Sequence, residues 1–597
     1  MKRTAILDRR IAFVAAMLLA GGQGSTALAQ SQQSGAPTRE DIKRESATRT
    51  AQPAPSRLSI EGGIELAPCP LAEPGYANVT VEIGSVAFNG LEDVSADELA
   101  STWRPFVGTA VPVSRLCEIR DRAATILRDK GYLAAVQIPP QRIEKGGTVR
   151  MDVLMAHLTH VQVRGDAGHA AGLIERLLKQ VSGDGPFNAK AAERRLLLAR
   201  ELPGFDIRLV LRPATDAPGA ITADAIVVRQ PLAADLNIQN YGSTAVGRYA
   251  GLARVQVNDL TGQGDATVLS FFNTSDIHEQ TVLGIGHSMA IGTNGLRLSG
   301  DFTYAWSRPD LGTTTLLRSH TLAGSVRLDY PLVVRESMRA GLSGGFDLID
   351  QRLFFGATAL STDKQRTLAA SIDIDMRDPA SIAGFKGYSS DEPRWRLAGG
   401  AEVRQGIDVL GASRACGVGL VNCAPPAVPL SRLTADPTPT ILRFNSVAEF
   451  RPAPIVAFVV STRAQYSDSV LISYEEIGAG NYTIGRGYDP GALLGDSGVG
   501  VTAEIRWRSG TAHSARGFVW QPFAFYDGAW SWRNDAGAVG AQHISSAGGG
   551  LRGAWRNHVR FDLVVAAPLE RAPLATRIGS PRFLFSITTR LFPWRAS

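Results

Sequence analysis

The sequence predicts an all-β membrane barrel of about sixteen antiparallel strands, preceded by two small α+β domains. Three observations lead there. The chain opens with an export signal, residues 80–232 run twice through one β-α-α-β-β plan, and from Asp235 onward apolar and polar residues alternate with period two.

The export signal sets the compartment. Lys2, Arg3, Arg9 and Arg10 precede the apolar run Ile11 to Ala20, and Ala27-Leu28-Ala29 supplies the small residues that a signal peptidase requires. Residues 1–29 therefore read as a signal peptide, its run too short to hold as a membrane helix. No later stretch offers about 18 uninterrupted apolar residues, which argues against a helical membrane protein. Composition fits a barrel, where only alternate residues meet lipid: Gly is 62 of 597, and Lys+Arg 62 nearly balance Asp+Glu 56. The formal charge of +6 lies partly in the signal peptide and gives no support to a nucleic-acid partner. No Cys/His cluster has metal-ligand spacing, so neither metal nor cofactor is expected. In an oxidising compartment the cysteines could pair, Cys416 with Cys423 around GVGLVN, and Cys69 with Cys117 across the linker and first domain.

Residues 30–79 are rich in Ser, Gln, Pro and Ala and read as an extended linker. Within it Thr38-Arg39-Glu40-Asp41 opens a polar helical stretch to about Thr48, with Thr38 and Asp41 as an imperfect capping box. So short a helix is marginal alone in water and either frays or docks.

The first domain takes residues 80–157. Val81, Ile83, Val86 and Phe88 form a strand ended by Asn89-Gly90, and Ser95 with Glu98 caps a helix towards Trp103. A second helix over Val113 to Lys130 stops at Gly131, and strands follow over Tyr132 to Ile138 and Thr148 to Met155. Residues 158–232 repeat the plan: Val161 and Val163 in a strand, helices over Ala170 to Gln180 and Asn188 to Glu201, and strands over Phe205 to Leu211 and Thr222 to Val228. Val86, Phe88, Val161 and Val163 are expected in the domain cores.

Residues 233–597 form the barrel. Leu236, Ile238 and Asn240, then Ala253, Val255 and Val257, alternate, with a turn at Asn258 to Gly262. Later strand runs are Ser325 to Tyr330, Ser371 to Met376, Val456 to Ser461, Thr502 to Trp507 and Phe583 to Leu591. Some 360 residues accommodate roughly sixteen strand-and-turn units of about 23 residues. Gly341-Leu342-Ser343-Gly344-Gly345 matches the letters of a nucleophile elbow but leads into a strand, with no helix after it, so an enzyme is not expected.

Two late motifs complete the reading. In NYTIGRGYDP, Arg486 is flanked by Gly485 and Gly487 and followed by Tyr488, and downstream Phe523, Phe525 and Asp527 alternate in FAFYDG. Arg486 offers a planar fork of donors and Asp527 can accept two, so a bidentate pair could set the depth of a loop inside the barrel. A plain hairpin with a solvated arginine is the alternative.

With these motifs in this order after two α+β units, the chain resembles the two-partner-secretion outer-membrane transporters, of the hemolysin-activator and filamentous-hemagglutinin-exporter type, within the POTRA-plus-barrel superfamily. The resemblance covers about Thr80 to Phe592. It includes Asn240-Tyr241-Gly242, Gly247, Asn258-Asp259-Leu260, Gly262, Gly264 and Asp265 at the barrel opening. It implies two POTRA domains in the periplasm, a sixteen-stranded barrel in the outer membrane, and a tip motif at Gly485 to Tyr488 received by a wall motif at Phe523, Phe525 and Asp527. Gly485 replaces the family's frequent Val or Leu and would loosen the tip. The implied function is export, by a monomer, of a large unfolded exoprotein of adhesin or hemolysin type. Outer-membrane lipid and the barrel-assembly machinery are the other implied partners, and the polar helix near Thr38 would plug the pore. The alternative is a general barrel-assembly factor.

Overall fold

The computed structural model describes residues 39, 42, 60–61 and 68–593, apart from 184, 215–216, 311–316, 481–483, 508–516, 536–539, 557 and 574. The signal-peptide reading and most of the linker helix lie outside the described residues.

The first module is built on β2 (Thr80–Asn89), β3 (Ala110–Pro112), β4 (Ala134–Gln137) and β5 (Gly147–Met155), in the order β3-β2-β5-β4, with β1 (Ile60–Glu61) outside it in the linker. Ser95 and Glu98 form a reciprocal capping box, but the helix they start, Ala96–Thr102, is a 3-10 helix. Helix α1 (Arg115–Asp129) lays Leu116, Ile119, Ala123 and Leu127 on the sheet against Ile83, Val149 and Met151. Strand β3 is absent from the sequence reading: three residues ending in Pro112 carry no alternation, and the strand forms because β2 offers it an edge. Cys69 is bonded to Cys117 of α1, which ties the linker to this core.

The second module repeats the architecture with β6 (His157–Gly165), α2 (Ala171–Lys179), α3 (Ala189–Arg200), β7 (Phe205–Pro213) and β8 (Ala220–Arg229). The Asn188 side chain caps α3 by accepting from Lys190 N and Ala191 N. Val161 and Val163 are only partly buried against the core, which is dominated by Leu173, Ile174, Leu177 and Leu196. The sheet order is β1-β7-β8-β6, because the linker pairs Ile60 and Glu61 in parallel with Leu209 and Val210. Backbone bonds Phe187 N to Ala156 O (2.6 Å) and Ala189 N to Gly131 O (2.8 Å) join the two modules.

Sixteen strands then close a barrel from Leu232–Gln239 to Arg582–Phe592, which pair with each other at the seam. Strand Ala266–Thr274 shows the rule that selects this fold: Val268, Ser270 and Phe272 point inward and are buried, while Leu269 and Phe271 point outward and are half exposed. Outward aromatics form two girdles. Trp395, Phe458, Trp507 and Trp555 ring the end nearest the modules, and Tyr249, Phe355, Tyr466 and Phe583 ring the far end. Among the described residues no helix is long and apolar enough to cross a membrane. Several strands outrun their sequence reading: Ser325 to Tyr330 is the middle of Leu317–Val334, and Ser371 to Met376 ends Thr358–Arg377. Their hidden portions carry inward residues such as Asp363, Gln365 and Thr367, whose polarity masks the alternation. Ser343 lies mid-strand in Met338–Phe355 and accepts a hydrogen bond from Ser371, so no nucleophile elbow exists.

The first turn at the module end, Asn258 to Asp265, docks the second module. Asp265 accepts from Leu260 N, Thr261 N and Thr261 Oγ1 at 2.6–2.9 Å, which shapes the turn. Asp259 then accepts from His169 N at 2.7 Å and pairs with Arg229. Gly264 has φ of +56°, and a Cβ there would lie 2.5 Å from Leu202, so only glycine lets the turn seat on the module. Farther round, Arg339 bonds Glu201 at 2.6 Å, while Arg194 donates to Pro331 O at 2.9 Å.

The Cys69–Cys117 bond closes 48 residues of chain, so replacing both with serine should cost the first module about 2–4 kcal/mol. Thermal unfolding of the full-length chain should show an earlier module transition, with the barrel's resistance to SDS unchanged. Loss of both together would place the disulfide in the barrel's stability instead.

Candidate functional site

Between barrel strands Val456–Tyr466 and Ser497–Trp507 the chain makes a long far-end loop that folds back into the lumen. A two-stranded stem, Ile477–Ala479 paired with Leu493–Gly495, stiffens it. At its tip, Tyr488 N bonds Gly485 O at 3.0 Å and Gly480 N bonds Ile484 O at 2.6 Å.

Asp527 receives this tip. It is fully buried, on the inward face of strand Phe518–Trp532. Its Oδ2 accepts from Gly485 N at 3.2 Å, Arg486 N at 3.0 Å and Arg486 Nε at 3.0 Å, and its Oδ1 accepts from Arg486 Nη2 at 2.8 Å. The remaining guanidinium nitrogen, Nη1, reaches Glu504 Oε1 at 2.8 Å. Gly485 does not loosen this turn: its φ of +94° aims two successive N–H groups at one oxygen, a conformation a β-branched residue resists. Gly487 packs so closely that a Cβ would lie 2.7 Å from Pro568 N.

Two aromatic rings floor the site. Arg486 stacks 3.6 Å from the Phe525 centroid and Arg552 stacks 4.0 Å from that of Phe523. These rings fit because their cross-strand partners are Gly548 and Gly550, where a Cβ would meet them at 2.9 and 2.6 Å. Glu504 bridges the arrangement, bonding Arg486, Arg506 and Arg552 at 2.8–3.0 Å. The Tyr488 hydroxyl lies 2.7 Å from Ser545 O and accepts from Glu570 N at 3.2 Å.

A second charged cluster sits at the loop's base. Buried Glu475 meets Arg404 at 3.1 Å, Arg443, and Arg39 of the N-terminal segment at 3.0 Å. Arg404 also bonds Asp347 at 2.6 Å. Arg39 and Ile42 are helical and almost wholly buried, and they line a lumenal cavity of about 630 Å³ with Asp301, Asp373, Glu402 and Tyr474. Above them the loop between strands Trp395–Gly406 and Thr440–Ala453 folds inward. Its Cys416, bonded to Cys423, packs in one cluster with Ile42, Leu430 and Ile472. At the rim Arg432 joins three loops through Asp496 (3.0 Å), Glu476 (3.3 Å) and Asp535. Burial raises the Asp535 pKa, yet hydrogen bonds from Arg432 and Thr434 outweigh it and hold the carboxyl below the usual range.

All seven motif residues thus meet at one site. Sequence reasoning missed Glu504, Arg506 and Arg552, and Gly548 with Gly550. Two charges at i and i+2 in a strand, Glu504 and Arg506, were the available signal, since they place a charged pair on the lumen side. Converting Asp527 to asparagine should strand Arg486 opposite a neutral group at a cost of about 3–5 kcal/mol. Hydrogen exchange in residues 484–492 should then speed up while strand Gln542–Trp555 stays protected; unchanged exchange would sink the assignment.

Residues 226–553 match the family described as haemolysin secretion/activation protein ShlB/FhaC/HecB, and residues 81–155 match the POTRA domain, ShlB-type. The heme/hemopexin transporter protein HuxB of Haemophilus influenzae strain 86-028NP is 27% identical over 186 residues, 31% of this chain and 33% of that protein. The chain thus spans about a third of that relative's length in this alignment. With HuxB of the Rd strain, identity is 23% over 430 residues, 70% of each chain. The solved structure of CdiB from Escherichia coli superposes with a TM-score of 0.61 at 16% identity, covering 89% of this chain and 94% of that one. Such membership sets the barrel in the outer membrane with its POTRA modules in the periplasm, and sets the chain among transport channels rather than enzymes. A family match over more than half the chain, on a closed sixteen-stranded barrel behind two α+β modules, means that this protein belongs to the ShlB/FhaC/HecB haemolysin secretion/activation family.

Proposed function

We propose that this protein exports a large, unfolded exoprotein of adhesin or hemolysin type from the periplasm through its barrel, and that the structure is the closed, resting pore. The observation that carries this reading is the joint filling of the lumen. The far-end loop is fastened to the wall by Arg486 and Asp527, and Arg39 and Ile42 lie buried beside its base. A passive porin needs neither feature. The two periplasmic modules present sheet edges to an extended client, and the pairing of linker residues Ile60 and Glu61 with β7 supports that edge as one that accepts a strand.

The N-terminal segment acts as a plug. Its withdrawal leaves Glu475 still paired with Arg404 and Arg443, so Arg39 departs without leaving that buried carboxylate unpaired. Deleting residues 37–48 should raise single-channel conductance in planar bilayers, and an unchanged conductance rejects the plug.

Export itself is tested by quantitative proteomics of outer membrane and medium after deletion of the gene. Loss of one large secreted or surface protein, with other barrels unchanged, is the expected outcome. Broad loss of many barrels would make the protein an assembly factor.

A further inference from the structure

The loop tip reaches past Asp527 to the strand that closes the barrel. Arg582 begins that last strand at its extracellular end, four residues beyond Ser586, where the ladder with the first strand stops at Gln239. Outside that ladder the seam is continued by Asn240, whose Nδ2 donates to Phe583 O at 2.8 Å and whose Oδ1 accepts from Phe585 N at 2.7 Å.

Arg582 is a buried charge in an awkward place. Its side chain is 9% exposed, and none of its three guanidinium nitrogens has an aligned hydrogen-bond acceptor among the described residues. Arg248 of the first extracellular loop adds a like charge nearby. The counter-charge is Asp489, three residues beyond Arg486, whose Oδ1 lies 2.8 Å from Arg582 Nη2. That contact lies off the line of a hydrogen bond, so it is an ion pair and little else. The barrel wall therefore leaves Arg582 unbalanced, and the loop neutralises it.

We propose that Asp489 couples the seating of the loop to closure of the seam. While the tip is docked, Asp489 offsets the Arg582 charge and the outer end of the last strand stays against Asn240. When the tip leaves, Arg582 remains buried beside Arg248 without a counter-ion, a state relieved by moving the strand end into water. Loop release thereby loosens residues 582–585 from 240–242. The inference takes from the proposed function only that the loop can move, and its test reads no export.

Hydrogen exchange of the full-length protein in lipid nanodiscs separates the outcomes. Asp489→Asn should exchange about tenfold faster in peptides covering 238–245 and 580–586, with residues 484–487 unchanged. Arg582→Gln removes the buried charge itself and should remain near wild type, as should the double variant Asp489→Asn/Arg582→Gln. A merely structural contact would make the two single variants alike. Unchanged exchange in Asp489→Asn, or a double variant as loose as Asp489→Asn, overturns the proposal. Should Asp489→Asn fail to insert, the exchanged pair Asp489→Arg/Arg582→Asp takes its place: wild-type exchange supports the coupling and faster exchange at the seam refutes it.

Discussion

The lumen is organised by one carboxylate. Asp527 has no exposed surface, and alone in that position it would carry a desolvation cost of several kcal/mol. Two main-chain N–H groups and two guanidinium nitrogens of the loop offset that cost, three of these four donors coming from the single residue Arg486. The dependence runs both ways, because Arg486 is itself buried and needs the wall's two carboxylates. A half-released tip would leave charges of both signs dry and unpaired.

Everything near the tip makes room for that contact. Phe523 and Phe525 supply a flat, apolar floor on which guanidinium planes stack, and glycines on the neighbouring strand give the rings their space. Glu504 draws Arg486, Arg506 and Arg552 into one network, so the floor and the tip are electrostatically continuous. The same loop carries Glu475 at its base, the meeting point of the wall arginines and the N-terminal segment. One loop thus touches the wall, the seam and the N-terminal residue Arg39, and an ion pair serves each of the three.

The periplasmic side is built on the opposite principle. The modules share backbone hydrogen bonds, and the second module is held to the turns at three places by Asp259, Arg194 and Glu201. Leu202 and Leu173 close over Gly264. The second module is thus fastened to the barrel turns by hydrogen bonds, ion pairs and apolar packing together.

Much of this was legible in the chain alone. Alternation with period two needs no tertiary information, because lipid on one side and lumen on the other impose it residue by residue; a β-helix or paired β-sandwiches would alternate too, and the export signal and aromatic last strand favoured the barrel. The capping residue Ser95 and the stop at Gly131 are local chemistry and marked the helices of the first module, whereas the Asn188 cap emerged only in the structure. Arg486 and Asp527 were legible because glycines and alternating aromatics isolate them in sequence. Strand β3 was not, since three residues without alternation become a strand only when a partner edge exists. Nor were Glu504, Arg552, Asp489 and Arg582, or the glycines beneath the phenylalanines: strand register alone brings residues tens of positions apart face to face. The sequence by itself determined that the C-terminal part of the chain is built of alternating strands, because burial pattern is local; only the tertiary structure decided where several of those strands end and which charges share a site, because that depends on the closure of the barrel.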